Sequence, residues 1–159
     1  MPAEPIWFLD TLVDVHLDAA ATGGAYALLT STAPPGHMPP PHVHVHEDEG
    51  FLVLEGELTV HTAQASVVLR PGDAAHAPRG QMHTIEVTGD GPARWLVLSS
   101  PAGFEAFVRA VGVPAPRREL PVLDAPPDLD RLVRIAGEHG IRLVGPPGAR
   151  PADLVTAGA

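Results

Sequence analysis

The first hundred residues of the chain alternate short apolar segments with residues that form turns. Runs of four to eight residues bounded by glycine, proline or acidic residues are typical of β-strands. The pattern predicts strands at 12–17, 25–30, 50–54, 57–61, 65–69, 74–77, 83–87 and 93–98, and a further strand that carries His42 and His44. Many short strands at spacings of about 8–12 residues indicate a β-sandwich or a closed barrel.

The last third of the chain changes to a helical period. Apolar residues at positions 104, 107, 108 and 111 share one helix face, with Ser99-Ser100-Pro101 as the predicted N-cap region and Gly112 at the end. Residues 128–139 repeat the pattern, and Gly140 is suited to follow a helix C-terminus. Both helices are expected to lie against the barrel, followed by a last strand at 141–144.

One domain is expected from a chain of 159 residues, which is long enough to bury a core. We expect residues 1–112 to form the barrel together with the first C-terminal helix. Residues 113–145 are expected to form a helical extension packed on the barrel, and residues 146–159 a disordered tail.

Charge and composition argue against several classes of protein. The net charge is −9, all ten basic residues are arginine, and the longest basic run is Arg117-Arg118, so the clustered positive charge of a nucleic-acid-binding protein is missing. No segment approaches the roughly 18 apolar residues of a membrane helix, and residues 1–5 lack the features of a signal peptide. We therefore expect no nucleic-acid or membrane partner and a cytoplasmic location. The absence of cysteine rules out disulfides, zinc–thiolate sites and thiol nucleophiles.

Histidines are concentrated in one part of the chain: five of the nine lie between positions 37 and 61. Side chains at i and i+2 of a strand share a face, so His42 and His44 can converge on one point. Glu49 has the opposite parity and needs a turn, which Glu47-Asp48 can supply. With His83, these residues form a set of three imidazoles and one carboxylate, which suits a divalent first-row metal. Taken alone, the two histidines fit the polar face of a half-exposed strand equally well.

The spacing of the surrounding residues favours the metal site. The first motif is Gly36-x5-His42-x-His44-x4-Glu49-x6-Gly56, and the second is Gly72-x5-Pro78-x-Gly80-x2-His83. Both resemble the signature motifs of the cupin superfamily. The similarity extends over nearly the whole chain to small single-domain cupins described as quercetin 2,3-dioxygenase-like, through segments that include Thr22-Gly23-Gly24 and residues 53–58.

The resemblance implies a jelly-roll barrel (a double-stranded β-helix) that binds one divalent transition metal: Fe, Mn, Ni, Co, Cu or Zn. Its ligands would be His42, His44, Glu49 and His83, with one or two coordination positions open to water, oxygen or substrate. The resemblance also implies a homodimer. One position departs from the family pattern, because Val87 stands where the second motif often ends in Asn.

Other residues are candidates for the pocket around the metal. His46, His76, Phe51 and Met82 are candidate lining residues, and Trp95 could belong to the same apolar wall. For the two histidines the alternative is an exposed position, and for the three apolar residues it is the plain barrel core. His37 precedes the ligands in a proline-rich segment, where a surface position is favoured.

The leading functional hypothesis is a metal-dependent dioxygenase acting on a small enolic or phenolic substrate, with Glu49 as both ligand and proton acceptor. One alternative is a metal-dependent isomerase, cyclase or decarboxylase of secondary metabolism. Another is a non-enzymatic module that binds a small molecule. The sequence leaves all three open.

Overall fold

Two antiparallel β-sheets face each other in the computed structural model, which describes residues 3–156. In spatial order, the larger sheet contains β11 (Val113–Pro114), β1 (Glu4–Phe8), β2 (Thr11–Leu17), β3 (Ala27–Ala33), β10 (Ala93–Ser100), β5 (Asp48–Glu55) and β8 (Ala74–Ala77). The smaller sheet contains β12 (Ile141–Leu143), β4 (His42–His44), β9 (His83–Val87), β6 (Leu58–Thr62) and β7 (Ser66–Leu69). The predicted all-β jelly roll is confirmed.

Alternation along the central strands places the core between the sheets. In β5, Glu49, Phe51 and Val53 are buried, while the residues between them are half-buried. In β10, Trp95 and Val97 follow the same rule and are 2% and 3% exposed. Because every second side chain along a strand faces the same side of the sheet, each strand contributes one row of side chains to a shared interior.

Gly56 illustrates how a motif residue fixes the barrel. Its φ is +76°, and a Cβ atom at this position would lie 2.6 Å from the carbonyl oxygen of Pro92 and 2.8 Å from Cα of Ala93. Only glycine accepts both the left-handed backbone and the close approach. The predicted turn after β5 therefore requires this residue for a steric reason.

Four helices accompany the sheets in the described part of the chain: α1 (Ala19–Thr22), α2 (Phe104–Val111), α3 (Leu129–Glu138) and α4 (Pro151–Thr156). The two predicted C-terminal helices correspond to α2 and α3, and Asp128 caps α3 by accepting a hydrogen bond from the Arg131 amide. Their apolar faces form a second buried cluster with Ile141. None of the helices within residues 3–156 is long and apolar enough to cross a membrane.

Two local predictions are wrong. Ser99 and Ser100 belong to β10 and do not cap α2; the N-cap residue is Gly103, whose amide donates to the buried carboxylate of Glu105 at 2.8 Å. The predicted disordered tail contains α4, which is anchored because Pro151 is buried and Leu154 contacts Gly145. Residues 157–159 of that tail lie outside the described residues.

Candidate metal centre

Strands from both sheets bring the four predicted ligands together. β4 carries His42 and His44 on one face, and β9 pairs with it so that His83 lies opposite His42. Glu49 reaches the same point from β5 in the facing sheet. One nitrogen or oxygen atom from each of the four residues lies within 4.8 Å of the others. Two ligands on opposite sides of one ion would lie about 4 Å apart, given bonds of roughly 2 Å.

The carboxylate of Glu49 occupies the middle of the cluster. Its Oε2 lies 3.0 Å from Nε2 of His44 and 3.0 Å from Nε2 of His83. All three side chains are almost completely buried, with residue exposures of 1–2%. Such a carboxylate needs a positive partner, because burying an unpaired charge is very costly.

Hydrogen bonds on the outer side of two rings determine which nitrogens face the centre. Nδ1 of His42 donates to the Pro40 carbonyl at 2.9 Å, and Nδ1 of His83 donates to the Gln81 carbonyl at 3.2 Å. A carbonyl only accepts, so each neutral ring carries its proton on Nδ1 and a lone pair on Nε2. These are the nitrogens that a metal ion would bind.

The third ring supplies an independent test of this fit. Nε2 of His44 is buried and has no well-formed hydrogen bond, although Oε2 of Glu49 lies 3.0 Å away. Lone pairs on Nε2 of His44 or His83 would repel the carboxylate oxygen at this distance unless a proton or a cation lies between them. The donor set therefore fits a divalent cation.

The electrostatics of the cluster are consistent with a position of positive charge. Burial lowers the pKa of His42 to about 3, with a contribution from the neighbouring His83 and His44. Burial also lowers the pKa of His44, but the carboxylates of Glu49 and Glu47 outweigh it and raise that pKa to about 10. Burial favours the neutral form of Glu49, yet the His44 and His83 imidazoles hold its pKa well below the usual range. Glu49 is thus an anion surrounded by ring nitrogens.

Two residues that sequence reasoning assigned to a turn support the centre. Glu47 is 3% exposed, and its Oε1 lies 3.2 Å from Nδ1 of His44 on the outer side of that ring. Asp48 accepts hydrogen bonds from the backbone amide and the guanidinium of Arg79 at 2.8–3.1 Å, and these bonds lower its pKa to about 2. The pair ties the turn that precedes His83 to the strand that carries Glu49.

The four clustered side chains form part of the wall of an otherwise largely apolar cavity of about 90 Å³. Phe51, Trp95 and Val97 contribute from the barrel, while Phe104, Phe107 and Leu132 from α2 and α3 close one side. A cavity with few polar groups beside a cluster of titratable residues is the usual form of a small-molecule site.

The predicted lining residues divide into two groups. Phe51 lies in the cavity wall, whereas His46, His76 and Met82 are not among the residues that line it. His76 is exposed and has the opposite strand parity to the buried Ala77 that follows it in β8, and Met82 is half-buried in the segment just before β9. His46 is exposed after the chain turns, and it packs on Gly140, where a Cβ atom would lie 2.4 Å from its ring.

His37 was expected at the surface, but it lies in the cavity wall and is 9% exposed. Its Nδ1 lies 2.8 Å from Oδ1 of Asp10, a residue that sequence reasoning missed altogether. The partners are 27 positions apart, and no local periodicity connects them.

Comparisons with known proteins place this geometry in a family context. Residues 29–99 match the model of the family described as Cupin domain. The chain is 30% identical over 93 residues to quercetin 2,3-dioxygenase of Bacillus subtilis (strain 168), a match that covers 58% of this chain and 27% of that protein. It is 33% identical over 93 residues to tetracenomycin polyketide synthase protein TcmJ of Streptomyces glaucescens, covering 58% and 54% of the two chains.

Among solved structures, KdgF from Halomonas sp. superposes with a TM-score of 0.55 at 21% identity, covering 61% of this chain and 84% of KdgF. At this identity the likeness shows the fold alone. The matched segment spans between about a quarter and about half of the length of the two curated relatives named above.

Proposed function

We propose that this chain, whose residues 29–99 match the family described as Cupin domain, is a metal-dependent dioxygenase acting on a small enolic or phenolic substrate. The observation that carries the proposal is the convergence of His42, His44, Glu49 and His83 on one point in the wall of a largely apolar cavity. The similarity to quercetin 2,3-dioxygenase over 58% of the chain supports the same class of reaction.

Each part of the cavity has a role in this proposal. A divalent cation held by the four side chains would supply positive charge that lowers the pKa of a hydroxyl group placed against it. The aromatic walls, Phe51 and Phe104 among them, hold a flat ring and exclude water. Exclusion of water strengthens every electrostatic interaction inside the cavity.

Glu49 accepts the substrate proton in this mechanism. The residue is 2% exposed, and the imidazoles of His44 and His83 keep its pKa low, so the carboxylate is ionised and available. The three histidines hold their positions through Nδ1 contacts on the outer side of the rings, which keeps Nε2 directed to the centre.

Oxygen uptake by the metal-loaded protein tests the proposal. The protein is purified without a His-affinity step, its metal content is measured, and flavonols and related enols are screened in an oxygen electrode. A dioxygenase consumes one O2 per substrate, and Glu49→Gln should lower the rate by at least about 100-fold if Glu49 takes the proton. Glu55→Gln, at the exposed end of the same strand, is the matched control. Absence of oxygen uptake with every substrate class would contradict the proposal.

A second candidate, a metal-dependent isomerase, cyclase or decarboxylase, is favoured by the 33% identity to the polyketide synthase protein TcmJ. The same cavity would then bind an enolisable polyketide, with Glu49 again as the proton acceptor. Turnover under anaerobic conditions distinguishes the two candidates, because only the dioxygenase requires oxygen.

A further inference from the structure

One further titratable residue lies in the cavity wall apart from the four clustered side chains. His37 is 9% exposed, and its Nδ1 lies 2.8 Å from Oδ1 of Asp10. Burial alone would raise the pKa of Asp10, but the hydrogen bond from His37 holds it below its ordinary value, so the carboxylate is an acceptor. A neutral imidazole that donates from Nδ1 to a carboxylate keeps its lone pair on Nε2. No residue within 3–156 forms a hydrogen bond with that Nε2.

Trp95 lies beside His37 in the same wall. Its side chain is 2% exposed, and the rings of Trp95 and His37 have centroids 6.4 Å apart. Nε1 of Trp95 has almost no accessible surface, so the rest of the ring forms the cavity wall and offers a flat surface next to the His37 ring.

The backbone fixes the separation between these groups and the metal centre. The Val87 amide donates to the His37 carbonyl at 2.9 Å, so the segment that carries His37 pairs with the end of β9. His83 begins the same strand, four residues earlier, which corresponds to about 13 Å along the chain direction. Ile85 lies between them and lines the cavity. The site therefore has polar groups at two ends and an apolar middle.

We propose that His37, oriented by Asp10 and flanked by Trp95, forms a distal polar subsite that selects flat polycyclic phenols with a hydroxyl group at the end remote from the metal centre. Nε2 of His37 accepts a hydrogen bond from that hydroxyl group of the ligand. The inference rests on the proposed function, since it defines the substrate class of that same cavity.

Calorimetric titration of the zinc-loaded protein under anaerobic conditions tests the subsite, because zinc has no redox chemistry and binding is then measured without turnover. The probes are two flavonols, one with hydroxyl groups on the ring remote from the enol and one without them. The wild-type protein should bind the hydroxylated flavonol about tenfold more tightly, the effect of one hydrogen bond to a buried group. His37→Phe should abolish this preference and leave the affinity for the plain flavonol unchanged. His76→Phe, the same change at an exposed histidine, should keep the preference.

The outcomes separate this proposal from the proposed function. Equal binding of both probes by the wild-type protein, or a preference that persists in His37→Phe, overturns the subsite and leaves the dioxygenase to be judged by oxygen uptake. Equal loss of both probes in His37→Phe overturns it too, because the role of His37 is then structural. If that variant does not fold, Asp10→Asn decides: the preference must shrink, since the ring is no longer oriented. Failure of the wild-type protein to bind either flavonol refutes the subsite and counts against a flavonol substrate, whereas oxygen uptake with any other enol would leave the dioxygenase standing.

Discussion

Replacing Glu49 with Gln is the sharpest perturbation of the centre, because it removes one charge with almost no change in volume. Oε2 of Glu49 lies 3.0 Å from Nε2 of both His44 and His83, with each group nearly fully buried. Breaking a buried ion pair costs about 3–5 kcal/mol. For a domain of this size each kcal/mol corresponds to roughly 2–4 °C in Tm. The metal-free Glu49→Gln variant should therefore melt at least about 6 °C below the wild type.

The metal-dependent part of the effect is separate. At a free metal concentration 100 times its Kd, binding stabilises the wild-type protein by about 2.7 kcal/mol, or roughly 5–11 °C. Loss of a ligand should weaken binding by at least about tenfold, since even changes behind the ligands weaken it by 10–100-fold. At the same metal concentration the variant then gains no more than about 1.4 kcal/mol, or half the shift.

Thermal melting followed by circular dichroism, with and without a divalent metal, measures both effects. Glu55→Gln serves as the control, since Glu55 lies on the same strand with its side chain 71% exposed. A metal-induced shift in Glu49→Gln that equals the wild-type shift would refute the reasoning, because the carboxylate would then have no part in binding.

Three further predictions concern the frame of the site. Gly56→Ala should lower the free energy of unfolding by about 3 kcal/mol or more in a denaturant titration, because left-handed backbone strain adds to a 2.6 Å contact with Pro92. Gly72→Ala is the control: its Cβ meets no atom within 4 Å, so it should cost only the backbone strain, about 1–2 kcal/mol. Equal losses in the two variants would contradict the steric argument. Leu132→Ala should lower the free energy of unfolding by about 2–5 kcal/mol in the same assay, because Leu132 is 5% exposed beside the cavity. Val133→Ala, at a position 55% exposed on the same helix, should change that free energy little. Similar losses in both variants would show that α3 does not close the cavity. The contribution of Asp10 to stability should depend on pH, because its pKa in the folded protein is lowered from 3.8: the stabilisation is present above pH 3.8 and is lost as the pH falls through the folded-state pKa. The difference in unfolding free energy between wild type and Asp10→Asn should therefore be larger at pH 6 than at pH 3. A difference that does not change with pH would contradict this prediction.

The positions of the four clustered residues could be predicted because they depend on local rules. Strand parity places His42 and His44 on one face, and the motif spacing adds Glu49 and His83.

Features that depend on long-range packing could not be predicted. Asp10 and His37 meet across 27 residues, and the cavity is closed by α2 and α3, whose placement no local pattern specifies. No strand was predicted over residues 4–8, where the structure has β1. Pro5 pairs with Asp14 of β2, and the other neighbour of β1 is β11, which is only two residues long.

Several expectations remain predictions. They are the homodimer, the cytoplasmic location and the division of the chain at residues 112 and 145. The nitrogen and oxygen donors of the cluster suit several divalent ions.

X-ray absorption spectroscopy of the cobalt-loaded protein tests the central claim most directly. The account predicts one cobalt ion per chain, bound by three imidazole nitrogens and one carboxylate oxygen at about 2.0–2.2 Å. A spectrum with fewer than two imidazole ligands, or a wild-type protein that binds no divalent metal, would contradict it.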